Sequence, residues 1–195
     1  MAELYPGYNV LDKWRSPSFD DITRKVVADR LENIPERRFL TDSEWTLLEA
    51  LAARLVPQPA GEPVAIVPWI DDALAGGKIA SFRRTGEPHD QQVWRDGLAA
   101  IDGAARRRHG AGFAELDAQA GEMLLQDIRG GAVSDDWSGV APKRFLIDIL
   151  LKELVAVYYS HPRAWSAIGF GGPASPRGYV RTQLDKHDPW EATKA

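Results

Sequence analysis

Apolar side chains recur every three or four residues along several stretches of the chain, the spacing of one face of an α-helix. The clearest stretch follows Thr41-Asp42-Ser43-Glu44, where the threonine hydroxyl and the glutamate carboxylate can each cap the other residue's backbone amide. Behind this capping box an apolar stripe continues to a stop at Pro57. The stripe consists of Trp45, Leu48, Leu51, Ala52 and Leu55. The pattern predicts a helix that begins after Thr41.

Two shorter helices are predicted on either side of this one. Ser18 is a candidate N-cap for a helix in which Phe19, Ile22 and Val26 repeat at helical spacing up to Leu31. Pro68 fits the first turn of a short helix, because the first turn needs no amide from it. The inward residues of this short helix are Trp69, Ile70, Ala73 and Leu74, and Gly76-Gly77 ends it.

Two more patterns end in glycine, the residue that most readily adopts the left-handed conformation after a helix. The first carries Val93, Trp94, Leu98, Ile101 and Ala105 and closes at Gly110. The basic run Arg106-Arg107-Arg108 falls in its last turn, where positive charge complements the helix dipole. The second is capped by Asp117, covers residues 118–128 and ends at Gly130-Gly131.

The most apolar segment is Pro142 to Tyr159, whose apolar residues cover most of a helical circumference. A helix that is apolar nearly all round is buried, either within its own bundle or under a partner. Asp148 and Lys152 stand one turn apart and are expected to pair on the single wet face.

No run of alternating polar and apolar residues predicts a β-strand, and no repeat of fixed period is present. We therefore predict an all-α, irregular bundle of about five to seven helices joined by Pro/Gly-rich loops. The length of 195 residues fits one domain. Residues 1–17, which show no periodicity, are expected to form an extended arm on its surface, and residues 169–195 an extended C-terminal tail.

Composition narrows the class of partner. The net charge of −4 disfavours nucleic acid, which basic faces bind. The longest apolar stretch carries Asp148, Lys152 and Glu153, so no direct membrane insertion is expected. The first residues show no signal peptide, and we expect a cytoplasmic protein, or a periplasmic one if an exported partner carries it. Seven tryptophans favour a large aromatic core or a partner surface.

A search for catalytic chemistry yields no catalytic, cofactor-binding or metal-binding residue. Without cysteine the chain offers no thiolate nucleophile or ligand, and its four histidines are scattered. Gly110-Ala111-Gly112 and residues 169–172 are poor matches to a dinucleotide-binding turn. The acidic pairs Asp71-Asp72 and Asp135-Asp136 are interpreted as solvated charges.

The C-terminal region has a different texture, with large apolar residues among glycines and prolines. Because aromatic residues dominate binding hot spots, the candidate partner-binding residues are found here. They are Trp165, Ile168, Phe170, Pro173 and Tyr179. The alternative is that these side chains close the protein's own core.

Three stretches together resemble the gluconate 2-dehydrogenase subunit 3 (small, or γ, subunit) family. The first is Phe39 to Leu51 with Ala53-Arg54-Leu55-Val56-Pro57, and the second is Gly97 to Asp102 continuing to His109-Gly110 and residues 113–116. The third is His161-Pro162, Trp165, Ile168 to Pro173 and Gly178-Tyr179.

The resemblance implies a non-catalytic subunit that binds, stabilises or matures a large FAD-containing dehydrogenase of the glucose–methanol–choline type. Such enzymes oxidise sugars, sugar acids or glycosides, and a cytochrome c subunit often accepts the electrons. FAD is then expected in the partner, with no cofactor in this chain. Family members commonly carry their own export signal, which is not seen here.

Two alternatives stay open at this point. One is a stand-alone, cofactor-independent enzyme on a sugar-type substrate, using His109 or His161 with a nearby carboxylate. The other is a maturation chaperone that is absent from the final complex.

Overall fold

The computed structural model describes residues 4–17, 19–59, 61, 63–79, 85–133, 137, 139–173, 178 and 192. The chain divides into two compact units, one of residues 35–157 and one that joins residues 1–34 to residues 158–195. The prediction of a single domain stays a prediction.

The described part of the chain is all-helical and contains no strand, which confirms the predicted fold class. It forms seven α-helices and two 3₁₀ helices. The α-helices are α1 (Asp21–Glu32), α2 (Asp42–Leu55), α3 (Ile66–Ala75), α4 (Asp90–His109), α5 (Ala118–Gly130), α6 (Pro142–Arg144, then a π-helix Phe145–Leu151, then Lys152–Tyr159) and α7 (Pro162–Ala167). The 3₁₀ helices are Val10–Lys13 and Phe113–Glu115.

Local signals set the helix ends in the unit of residues 35–157. The capping box of α2 is present: the Thr41 amide donates to Glu44 Oε2 over 2.8 Å, and the Glu44 amide donates to Thr41 Oγ1 over 3.3 Å. Asp117 caps α5, and its side chain accepts from the Ala120 amide. Gly110 and Gly131 end α4 and α5 at φ of 73° and 80°, a region that disfavours side chains with a Cβ. These four predictions are confirmed.

The core of this unit closes where α4 meets α6. A Cβ placed on Gly97 would lie 2.3 Å from the Phe145 ring, so only glycine lets the two helices approach this closely. Trp94 packs its ring edge against Phe145 with centroids 6.1 Å apart, and Trp137 lies 5.9 Å from the same ring. Trp94 and Phe145 are fully buried. Some of the aromatic residues therefore form a core cluster.

The interpretation of the Asp71-Asp72 pair as solvated charges is wrong for Asp71. Its side chain is fully buried on α3 and accepts from three consecutive backbone amides. The distances are 2.5 Å from Arg38 N, 3.1 Å from Phe39 N and 2.7 Å from Leu40 N. Asp72 stays partly exposed and pairs with Arg38 over 2.9 Å. Asp71 thus fixes the entry to α2, whereas Asp135-Asp136 lies outside the described residues.

Helix α6 differs from a regular helix in its middle. Residues Phe145–Leu151 form a π-helix, a form that is rare in runs of this length. Asp148 pairs with Arg144 over 3.6 Å rather than with Lys152, so the predicted partner is wrong. Arg144 also forms a bidentate pair with Glu87, at 2.6 and 2.7 Å.

In the other unit, α1 begins later than predicted and turns a different face inward. Asp20 caps it by accepting from the Thr23 amide over 2.7 Å, and Ser18, the predicted cap, lies outside the described residues. Val27 and Thr23 are buried, while Ile22 and Val26 are 75% and 55% exposed. The spacing predicted the helix correctly but not which of its apolar residues face the protein.

Candidate partner-binding surface

The family-like closing stretch is built on α7. His161 caps this helix through Nδ1, which accepts from the Arg163 amide over 3.2 Å, and Pro162 occupies its first position. After α7 the chain turns back, and the Phe170 amide donates to Trp165 O over 2.8 Å. His161 therefore has a structural role as the N-cap of α7.

Two glycines in the turn after α7 are required by close contacts. Gly169 has a φ of 71°, and a Cβ on it would lie 2.6 Å from the Tyr5 ring. Gly172 has a φ of 80°, and a Cβ there would lie 2.9 Å from the Phe19 ring. Both the backbone conformation and the lack of space exclude larger residues at these two positions. The glycines of this stretch thus serve packing rather than a phosphate-binding turn.

The N-terminal segment packs onto α7 and the residues that follow it. The Val10 amide donates to Ser166 Oγ over 3.1 Å, and Tyr8 Oη donates to Phe170 O over 3.4 Å. Val10 is fully buried at the start of a 3₁₀ helix that Asn9 caps. The predicted extended arm therefore contains a helical turn, because Asn9 supplies the acceptor for the amide of Leu11.

The predicted partner-binding residues fall into different environments. Trp165 and Phe170 are half-buried and stack edge to face, with ring centroids 5.9 Å apart. The Trp165 Nε1–H donates to Tyr159 O over 2.6 Å. Ile168 is 46% exposed and Pro173 is half-buried, while Tyr179 lies outside the described residues. The assignment of these residues to a partner stays a prediction.

A groove beside α1 joins two of these residues to the outward face of that helix. It has a volume of about 350 Å³, and its apolar lining comes from Ile22, Val26, Val27, Trp165 and Pro173. Sequence reasoning missed Ile22 and Val26 as surface residues. Their spacing was a signal for an apolar face, but it does not tell a core from a docking surface.

Polar groups in and beside this groove form hydrogen bonds within the protein. Arg30 donates to Ser160 O over 2.9 Å, and burial lowers the pKa of its guanidinium, a shift that Asp29 partly opposes. Burial, followed by the positive charges of Arg163 and Arg30, lowers the pKa of His161 below its usual value. The imidazole is thereby kept in the neutral form that accepts the helix-capping hydrogen bond.

A larger groove, of about 610 Å³, lies in the other unit between α2, α4 and the 3₁₀ helix Phe113–Glu115. Arg95 crosses it to Glu44 at 2.7 and 2.8 Å. Burial raises the pKa of Glu44, but hydrogen bonds from Thr41 and Arg95 outweigh this and leave it lowered. Arg106 pairs with Asp102 over 2.8 Å. These charges pair with one another, which is typical of a structural network.

Two further findings concern chemistry and membranes. Within the described ranges, no three His, Cys, Asp or Glu side chains are grouped to hold a metal ion. Across the same residues, none of the helices combines the length and the apolar character needed to cross a bilayer.

Fold and surfaces together define a small all-helical protein with one groove of paired charges and another of exposed apolar side chains. The family model described as gluconate 2-dehydrogenase subunit 3 matches residues 42–172, more than half of the chain. The chain therefore belongs to the gluconate 2-dehydrogenase subunit 3 family, that of a subunit of a dehydrogenase complex. No match to the chain was found among curated proteins or among solved structures.

Proposed function

We propose that this chain is a non-catalytic small subunit that binds, stabilises or matures an FAD-dependent dehydrogenase of sugars, sugar acids or glycosides. The observation that carries the proposal is the family match over residues 42–172. FAD belongs to the large subunit in this proposal, and a cytochrome c subunit is a further candidate member of the complex. The chain acts in the cytoplasm or travels out with an exported partner.

The docking surface in this proposal is the groove beside α1. Ile22 and Val26 on its rim are 75% and 55% exposed, and Ile168, on the turn after α7, is 46% exposed. Large apolar side chains clustered at a surface lose contact with water when a partner covers them, at roughly 25 cal/mol per Å² of apolar area. Trp165 and Pro173 supply the rigid lining that such an interface favours.

The test is co-expression with the FAD-containing large subunit, followed by affinity purification of the complex. Val26→Asp places a charge in the groove and is expected to lower the yield of complex at least tenfold. Ile34→Asp is the matched control, since Ile34 is 56% exposed in the same unit but does not line the groove. Both variants are expected to retain the helical circular dichroism of the wild type.

Three outcomes would contradict the proposal. The first is that the wild-type chain does not co-purify with the large subunit. The second is that the isolated chain turns over sugars or sugar acids unaided, which would favour a stand-alone enzyme. The third is that Val26→Asp and Ile34→Asp reduce complex formation equally, which would remove the groove beside α1 from the interface.

A further inference from the structure

His161 lies where the groove beside α1 meets α7. Ser160, the residue before it, lines this groove, and so does Trp165 on α7. The carbonyl oxygen of Ser160 accepts from Arg30 of α1 over 2.9 Å, and the Trp165 Nε1–H donates to Tyr159 O over 2.6 Å. One wall of the groove therefore consists of the chain on both sides of His161.

The cap that His161 provides for α7 requires an unprotonated nitrogen. Its Nδ1 accepts from the Arg163 amide over 3.2 Å, so in the neutral ring the proton sits on Nε2 and a second proton can go only to Nδ1. A proton at Nδ1 sets two donors against each other and ends the hydrogen bond. Ser, Thr and Asn caps keep their acceptor at every pH, whereas a histidine cap loses it on protonation.

The surroundings of His161 disfavour a positive charge on its ring. Burial lowers the pKa of His161 most, and Arg163 of α7 and Arg30 of α1 lower it further. The N-terminal end of a helix also disfavours a cation. Tyr158, at the end of α6, interacts with Arg163 and stays neutral in this pH range, because burial raises the pKa of its hydroxyl.

Other charged groups on the elements around α7 are directed elsewhere. Asp29 on α1 accepts from the Asn33 side chain over 2.7 Å. On the 3₁₀ helix Val10–Lys13, Asp12 is exposed and Lys13 donates to Tyr8 Oη over 2.7 Å. Among the described residues, no carboxylate offsets a charge on His161, so a proton there is not stabilised by an ion pair.

We propose that protonation of His161 releases the partner from the groove beside α1, so that the chain binds the large subunit at neutral pH and loses it in acid. The proton removes the cap of α7 and adds a positive charge to those of Arg30 and Arg163. The wall that carries Ser160 and Trp165 then loses its fixed position. Binding therefore selects the neutral imidazole, and acidification shifts the equilibrium toward the free chain. The inference rests on the proposed function, since the large subunit is the partner that is released.

The first experiment measures the Kd of the purified chain for the purified large subunit at about pH 7.5 and about pH 5. His161→Asn keeps an oxygen acceptor for the cap and does not titrate. On acidification the Kd of the wild type is expected to rise at least about threefold more than that of His161→Asn. Because both chains meet the same partner at the same pH, titrating groups of the large subunit cancel. His161→Ala lacks the cap and is expected to bind more weakly than the wild type at the higher pH.

The second experiment follows the free chain alone by nuclear magnetic resonance as the pH is lowered. The amide signal of Arg163 is expected to shift with the same midpoint as the His161 imidazole, since the two are joined by the capping hydrogen bond. This readout does not depend on the large subunit.

The outcomes separate this inference from the proposed function. If the complex forms at neutral pH but the wild type and His161→Asn weaken equally in acid, the inference is overturned while the proposed function stands. The inference is likewise overturned if the Arg163 amide does not follow the imidazole, or if His161→Ala binds as tightly as the wild type. Failure of the wild-type chain to bind the large subunit at either pH overturns both.

Discussion

Replacing Asp71 with alanine removes the acceptor of three backbone amides at the entry to α2. A hydrogen bond to a charged group contributes about 1.5–3 kcal/mol, so the three together set an upper limit of about 9 kcal/mol. The amides of Arg38 and Phe39 are only partly buried and can regain water, whereas that of Leu40 is buried. We therefore expect Asp71→Ala to lower the free energy of unfolding by about 3–5 kcal/mol.

The assay is urea unfolding followed by circular dichroism at the helical band, supported by thermal melts. At about 2–4 °C per kcal/mol for a chain of this size, the melting temperature should fall by roughly 6–20 °C. Asp72→Ala is the matched control. Asp72 is 36% exposed and its pair with Arg38 is a surface ion pair, which contributes about 0–1 kcal/mol.

A further variant separates the hydrogen bonds from the loss of volume. Asp71→Asn keeps the size of the side chain but turns an NH₂ group toward backbone N–H donors. It should therefore lower the free energy of unfolding by at least half as much as Asp71→Ala does. If Asp71→Ala proves no more destabilising than Asp72→Ala to within about 1 kcal/mol, the carboxylate does not organise the entry to α2. The reasoning would then be refuted.

The remaining predictions concern the core and pH. Gly97→Ala should cost about 3 kcal/mol or more, since its Cβ would lie 2.3 Å from the Phe145 ring. A Cβ on Gly103 would meet only the end of a flexible arginine side chain, at 3.2 Å, so Gly103→Ala should raise the free energy of unfolding by up to about 1 kcal/mol. Equal changes in the free energy of unfolding of the two variants, measured in denaturant, would contradict this. The lowered pKa of His161 means that the unfolded chain binds more protons, so stability should fall as pH drops through about 6.5. His161→Asn, which keeps a capping oxygen, should flatten that slope.

The sequence predicted the ends of α2, α4 and α5 well, because caps are set by neighbours along the chain, but it did not predict the π-helix in α6 or the later start of α1. Thr41 with Glu44 and the glycine at position 110 each act within one turn, and the structure places them as expected. The family resemblance, carried by motifs along most of the chain, was likewise confirmed by the match to residues 42–172. The partner-binding residues remain a prediction, since a partner surface and a core have the same composition.

What the sequence by itself determined was the set of helices α1 to α6, because periodicity and capping depend on residues within a few positions of each other. It did not predict α7 or the two 3₁₀ helices, which are too short to show a period. Tertiary structure decided which faces are covered. Asp71 resembles a solvated acid until the amides of Arg38 to Leu40 come within hydrogen-bonding distance. Ile22 resembles a core residue until the packing of α1 leaves it exposed. Burial depends on residues distant in sequence, and it is burial that separates a structural group from one available to a partner.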